Sequence, residues 1–278
     1  VDAVRYSDYM KYKEAVTDAG NALMALLAGS QLATHFLQLT EGSNRLLPEI
    51  FPNVLHISRF NLKTENAFAI LNQAEIHLSA MGVPYALSLH EDYMQSCLEL
   101  LIKAGVCKNI NLKRTSSSEF HEIFEKSTGQ LFSADSKLQL STLRIMRNCM
   151  MHNGGRANSS LINEILKWNS TLESDWKRLT QSSPVGLRIG EKIFFGHGEM
   201  ILSLAVTKRI AHEANLMLQT ALPKTIWADI LISDLLLIDA NLLSKSDKLR
   251  KSIGYSRFNF GPIGLSEIDI KDAHTRAN

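Results

Sequence analysis

Apolar side chains in this chain recur at helical spacing, and that periodicity restricts the fold more than any other feature. From Tyr85 to Ala104, the residues Leu89, Tyr93, Cys97, Leu100, Leu101 and Ala104 fall on one stripe, the pattern of a helix with one face in a core. The same reading predicts helices over Asp8 to Leu39 and Thr64 to Ala80, and a short one near Glu119 to Lys126. Another opens at Ser133 or Asp135, followed by Ser159 to Leu179, Glu199 to Ala221 and Ile226 to Leu243. Pro48 and Pro52 interrupt the polar connection before Thr64, and Gly82 with Pro84 ends one helix and starts the next. In VGLRIGEKIFFGHGE, two short apolar runs around Gly190-Glu191 predict a small β-hairpin. The expected architecture is therefore all-α with a hairpin insertion. It forms one domain over 1–245, with its core at about 64–221, and a basic, aromatic C-terminal extension over 246–278 that wraps the surface or is mobile.

With 278 residues, 45% of them hydrophobic, the chain can bury a large core without disulfides, a structural metal or a cofactor. Cys97, Cys107 and Cys149 show no CxxC spacing and lie in or beside apolar segments, which points to buried thiols and a reducing, cytoplasmic setting. The opening VDAVRYSDYMKYKEAV carries charges throughout, without the apolar run of an export signal. Asp229, Asp234 and Asp239 interrupt the most apolar helix, so it reads as a buried helix of a globular protein and not as a membrane span. A formal net charge of +2 gives weak overall attraction to nucleic acid, so an RNA site must rest on local groups. Lys103, Lys108, Lys113 and Arg114 form one basic cluster. Lys248, Arg250, Lys251 and Arg257 form a second, interleaved with Tyr255, Phe258 and Phe260. The second has the basic-plus-aromatic character of a strand-binding surface, and the ordinary reading beside it is solvated charge next to aromatics that pack on the bundle.

Several chemistries lack their residues. GLRIGEK, from Gly186 to Lys192, lacks the Gly-Lys-Ser/Thr ending of a phosphate loop, and neither GxGxxG nor GxSxG occurs. His121-Glu122 begins HEIFE, which lacks the second histidine of HExxH, so no metal ligand set is assigned.

The stretch RIMRNCMMHNGG, Arg144 to Gly155, reads first as a helix stop. Basic side chains in a last turn complement the negative end of the macrodipole, and Asn-Gly-Gly supplies left-handed cap residues. Yet Arg147 and Asn148 are polar groups inside an apolar turn. Asn148 and His152 share a helical face, whereas Arg147 and His152, five residues apart, diverge by about 140°.

Arg147-Asn148-Cys149-Met150-Met151-His152 resembles the Arg-polar-xxx-His signature of the HEPN superfamily, helical-bundle domains of ribonucleases, toxin–antitoxin systems and antiviral defence. The likeness extends over Thr64 to Ala221 as architecture and over about a dozen positions as residues. It implies metal-independent RNA cleavage, in which the 2′-hydroxyl attacks the neighbouring phosphate and leaves a cyclic phosphate. In that scheme His152 moves a proton, Arg147 stabilises charge on the phosphate, and Asn148 orients the imidazole or holds a phosphate oxygen. Arg144, Asn153 and Arg156 are the expected substrate-binding residues. The resemblance also implies a homodimer whose two Arg/His sets share one composite cleft, with RNA as substrate and an antitoxin or sensor protein as a further partner. The competing reading is a non-catalytic helical module that dimerises or binds a nucleotide or RNA.

Overall fold

The computed structural model describes residues 2–108, 110–244 and 246–277, apart from the side chains of Lys113 and Ser244, so the Lys113 part of the first basic cluster lies outside the described residues. The chain is mostly helical. Its α-helices are α1 (Ser7–Gln38), α2 (Leu47–Ile50), α3 (Thr64–Asn72), α4 (Ala74–Lys103), α5 (Phe120–Thr128), α6 (Ala134–His152), α7 (Ser159–Ile165), α8 (Ser170–Thr180), α9 (His197–Ala221), α10 (Lys224–Ile238), α11 (Lys248–Asn259) and α12 (Glu267–Ala277). Extended pairing among the described residues is limited to two isolated antiparallel bridges, Leu46 with Lys63 and Arg156 with Lys192. Among the same residues, no helix is long and apolar enough to cross a membrane.

Several expected boundaries move, each for a local reason. The break placed at Gly82 and Pro84 falls instead at Gln73, and α4 runs through both residues. Gly82 is a packing residue there: a Cβ on it would meet Leu23 Cδ1 at 2.9 Å and Met200 Cγ at 3.3 Å. The single helix expected over Ser159 to Leu179 is two, because Asn158 and Asn169 each cap a start, their side-chain oxygens accepting from the Leu161 and Leu172 N–H groups at 3.0 and 2.8 Å. The two apolar runs flanking Gly190-Glu191 form no strands and do not pair with each other. The C-terminal stretch carries α11 and α12.

The described residues gather into two compact units. The first comprises 1–16, 86–140 and 205–278. Its N-terminal segment is held by side chains: Asn215 accepts from the Val4 N–H at 3.0 Å and donates to the Val4 carbonyl at 2.8 Å, while Asp234 accepts from the Ser7 N–H at 2.9 Å. Burial raises the Asp234 carboxyl above the usual range. Asp229 accepts from Arg276 Nε at 2.9 Å. Two of the aspartates that interrupt the apolar α10 thus have defined partners. Tyr6, Tyr93 and Cys97 form a buried cluster, with the two hydroxyls 3.0 Å apart, and burial pushes the Cys97 thiol up to about 12. An inert core thiol results, as expected for these cysteines. His90 and His121, both buried, meet Nε2 to Nε2 at 2.9 Å with stacked rings. Phe260 is core, tilted or edge-on to Trp227 and Tyr255, whereas Phe258 is exposed with the Arg5 guanidinium 5.1 Å from its ring.

The second unit comprises 17–85 and 141–204. Trp176 is fully buried against Trp168, whose indole N–H donates to Thr142 Oγ1 at 3.2 Å. The start of α9 is pressed against the end of α8 at Gly198, where a Cβ would lie 2.2 Å from Thr180 Cα and 2.8 Å from the Leu179 carbonyl oxygen. Glu199 secures the same corner, accepting from Ser182 Oγ at 2.8 Å and from the Gly196 N–H at 2.9 Å.

Two stability predictions follow from these contacts. Because the atoms facing Gly198 are backbone, Gly198→Ala forces α8 and α9 apart and costs about 3 kcal/mol, read as a lower urea midpoint at unchanged slope. His274, buried with its Nε2 3.0 Å from Ser252 Oγ, is held below its ordinary value by burial and then by Lys248. A lowered histidine favours folding while neutral, so this contribution is complete above the ordinary histidine range and is lost as pH falls through the lowered folded value. Thermal melts at pH 7.5 and 5.5 should show a smaller acid-side loss for His274→Gln than for the unsubstituted chain.

Candidate functional site

The candidate site is the C-terminal end of α6 and the turn behind it. Ser133 opens this helix, as expected, with its hydroxyl accepting from the Ser136 N–H at 3.4 Å. At the other end the Cys149 carbonyl receives two N–H groups, from Asn153 at 3.0 Å and from Gly155 at 3.1 Å. Gly154 and Gly155 both take left-handed conformations, with φ of 58° and 71°. The second of those bonds reaches back six residues, one more than a Schellman closure, so the two left-handed glycines fold the chain back onto the last turn and terminate the helix.

The chain leaving the cap is captured by a distant segment. Ile193 N–H donates to the Gly155 carbonyl, Ala157 N–H to the Glu191 carbonyl and Gly190 N–H to the Ala157 carbonyl, each at 2.8 Å. Arg156 Nη1 donates to the Gly190 carbonyl at 2.9 Å. The apolar runs read as a hairpin therefore use their backbone groups against 155–157. This pairing brings the exposed Arg188 and Lys192 to the turn that carries the exposed Arg156, with the acidic Glu191 among them. Sequence reading missed Arg188 and Lys192. Their separation from α6 gives no spacing signal, and the only cue was the GLRIGEK stretch itself, which lacks a phosphate-loop pattern.

The six expected residues are not placed alike. Asn148, His152, Asn153 and Arg156 are exposed, and Arg144 and Arg147 are half-buried. The Nε atoms of both arginines, with Nη2 of Arg144, are shielded from solvent, and both residues interact with the rest of the protein. Met146 and Cys149 face the core. Since α6 stays helical through His152, the imidazole does not leave its helical face, and the five-residue spacing keeps it about 140° from Arg147 around the axis. Asn148 and His152 share the exposed face.

Next to these turns lies a recess of about 430 Å³, lined by Met146, Trp176, Lys192, Phe194, Phe195 and Glu199 among others. Its size is that of a small-molecule pocket, with mostly apolar walls and a few polar groups. Among the described residues, no three His, Cys, Asp or Glu side chains gather where they would hold a metal ion.

The left-handed pair sets where the cap turns. Replacing both Gly154 and Gly155 with Ala should cost roughly 1–2 kcal/mol per residue in thermal unfolding, and should weaken the amide-exchange protection of Ala157 and Ile193, whose N–H groups depend on the turn. Comparison with known protein families, curated proteins and solved structures finds no match to this chain.

Proposed function

We propose that this chain is a HEPN-like, metal-independent endoribonuclease of the toxin or antiviral-defence kind, acting on RNA in the cytoplasm. The observation that carries the reading is the exposure of His152 and Asn148 on one face of the last turns of α6, beside a turn bearing Arg156, Arg188 and Lys192. A phosphodiester approaching that face meets an imidazole able to exchange a proton, an amide to orient it and cations to hold the backbone. His152 acts as the acid or base while the 2′-hydroxyl attacks phosphorus and the 5′-oxygen leaves. Arg147 stabilises the charge on the phosphate, and Arg144, Asn153 and Arg156 bind along the strand.

The divergence of Arg147 from His152 within one helix supports a second part of the proposal. Two copies pair so that the arginine of one serves the histidine of the other, giving a composite cleft, and an antitoxin or sensor protein restrains it. The alternative, a non-catalytic helical module that dimerises or binds nucleotide or RNA, is favoured by one observation: the shielded Nε atoms of Arg144 and Arg147 leave these guanidinium groups partly committed to the protein.

Incubation of the purified chain with total RNA in EDTA decides between them. Cleavage should yield cyclic-phosphate ends and fall by about 100-fold or more in both Arg147→Ala and His152→Ala. Mixing the two inactive variants should restore one intact cleft per mixed dimer. Undiminished cleavage by both folded variants rejects the catalytic assignment, and RNA binding without cleavage by the unsubstituted chain selects the binding module.

A further inference from the structure

The second unit carries an apolar surface that its own chain leaves uncovered. In the C-terminal half of α1 and the residue after it, Leu26, Leu32, Phe36 and Leu39 are 58%, 61%, 56% and 84% exposed. Ile70 of α3 and Met81 and Tyr85 of α4 are also about half exposed or more. Ala74, Leu78, Met81 and Tyr85 follow one another at helical spacing, so they form a single stripe on α4. Between this stripe, α3 and α1 runs a groove of about 420 Å³. Ala25, Gly29 and Ala33 line it on the α1 side, and Ile70, Ala74 and Leu78 on the other. A Cβ added to Gly29 would meet no atom within 4 Å, so the chain itself does not fill this floor.

Three properties identify what covers the face. The first is area. Taking roughly 200 Å² for a large apolar side chain, the seven exposed residues leave on the order of 800 Å² in solvent. That exceeds the patch of about 300–600 Å² usual on a monomer and matches the roughly 800 Å² per partner of a standard stable interface. The second is charge. From Ala19 to Thr40 and from Ile76 to His90 the chain carries no Asp, Glu, Lys or Arg. Two such faces meet without like-charge repulsion or a buried ion, whereas an anionic lipid surface would require Lys or Arg around the apolar stripe. The third is shape. Leu32, Phe36 and Leu39 form a ridge on the sector of α1 adjoining the small-residue groove, so one face offers both a projection and the recess to receive it. Self-complementarity of that kind is what a two-fold axis requires.

We infer that this face is a homodimer interface, in which the Leu32 and Phe36 ridge of each copy seats in the Gly29 and Ala33 groove of the other. The small residues let the two α1 helices approach closely, ridge into groove. The pairing is read from α1, α3 and α4 alone and is a contact separate from the composite cleft proposed above, so substitutions on this face can fail while the cleft pairing stands, whereas a strict monomer defeats both.

Sedimentation velocity on the full chain tests it, with three variants placed where the monomer has nothing to lose. Leu32→Glu and Phe36→Glu put a carboxylate on the ridge, and Gly29→Leu fills the open floor. The unsubstituted chain should self-associate at micromolar concentration. Each variant should weaken association through this face by about 100-fold or more, with unchanged helical circular dichroism. A monomer for the unsubstituted chain up to about 50 micromolar overturns the inference, as does self-association unchanged in strength in both Gly29→Leu and Phe36→Glu. Co-sedimentation of the unsubstituted chain with phosphatidylcholine vesicles, abolished by Phe36→Glu, would assign the face to lipid and overturn it as well.

Discussion

A single carbonyl decides how the candidate site is built. The Cys149 oxygen accepts from both Asn153 and Gly155, and this pair of bonds fixes the residue at which α6 stops being a helix. Had the stop come a turn earlier, His152 would sit in a loop free to swing toward Arg147. With the helix intact through His152, the histidine is tied to the face of Asn148, and the arginine points round toward the half-buried side. The cap also directs the chain onto 190–193, so the cations that collect there follow from it.

Elsewhere, two polar side chains inside apolar helices hold backbone groups from a distant segment. Asp234 lies in the most apolar helix and receives the Ser7 N–H; Asn215 lies in α9 and clamps both polar groups of Val4. These side chains tie the residues before α1 and the first residue of α1 to two later helices, and an unsatisfied group in either place would cost more than the bond contributes. Glu199 serves the second unit in the same way, spanning Ser182 and Gly196 at the corner where Gly198 allows two backbones to touch.

The helical class was legible from apolar periodicity, and the end of α6 was legible from Asn-Gly-Gly, because both are local signals. What failed depended on contacts that local reading does not contain. Gly82 looked like a stop, but its missing side chain makes room for Leu23 and Met200, which come from far along the chain. The apolar runs around Gly190 looked self-pairing, but their partner is the turn after α6. Asn158 and Asn169 were readable as caps, and the periodic pattern across Ser159 to Leu179 masked them. At the candidate site, Arg147, Asn148 and His152 came from the six-residue resemblance to the HEPN signature. Arg188 and Lys192 required the fold.

The buried histidine pair has a chemical corollary. A contact of 2.9 Å between two Nε2 atoms contains one hydrogen, donated by one ring and accepted by the other. The accepting ring, while neutral, must then carry its own hydrogen on Nδ1. While neutral, His90 and His121 are thus unlike tautomers, and two chemically identical side chains take the unlike parts of donor and acceptor within the core.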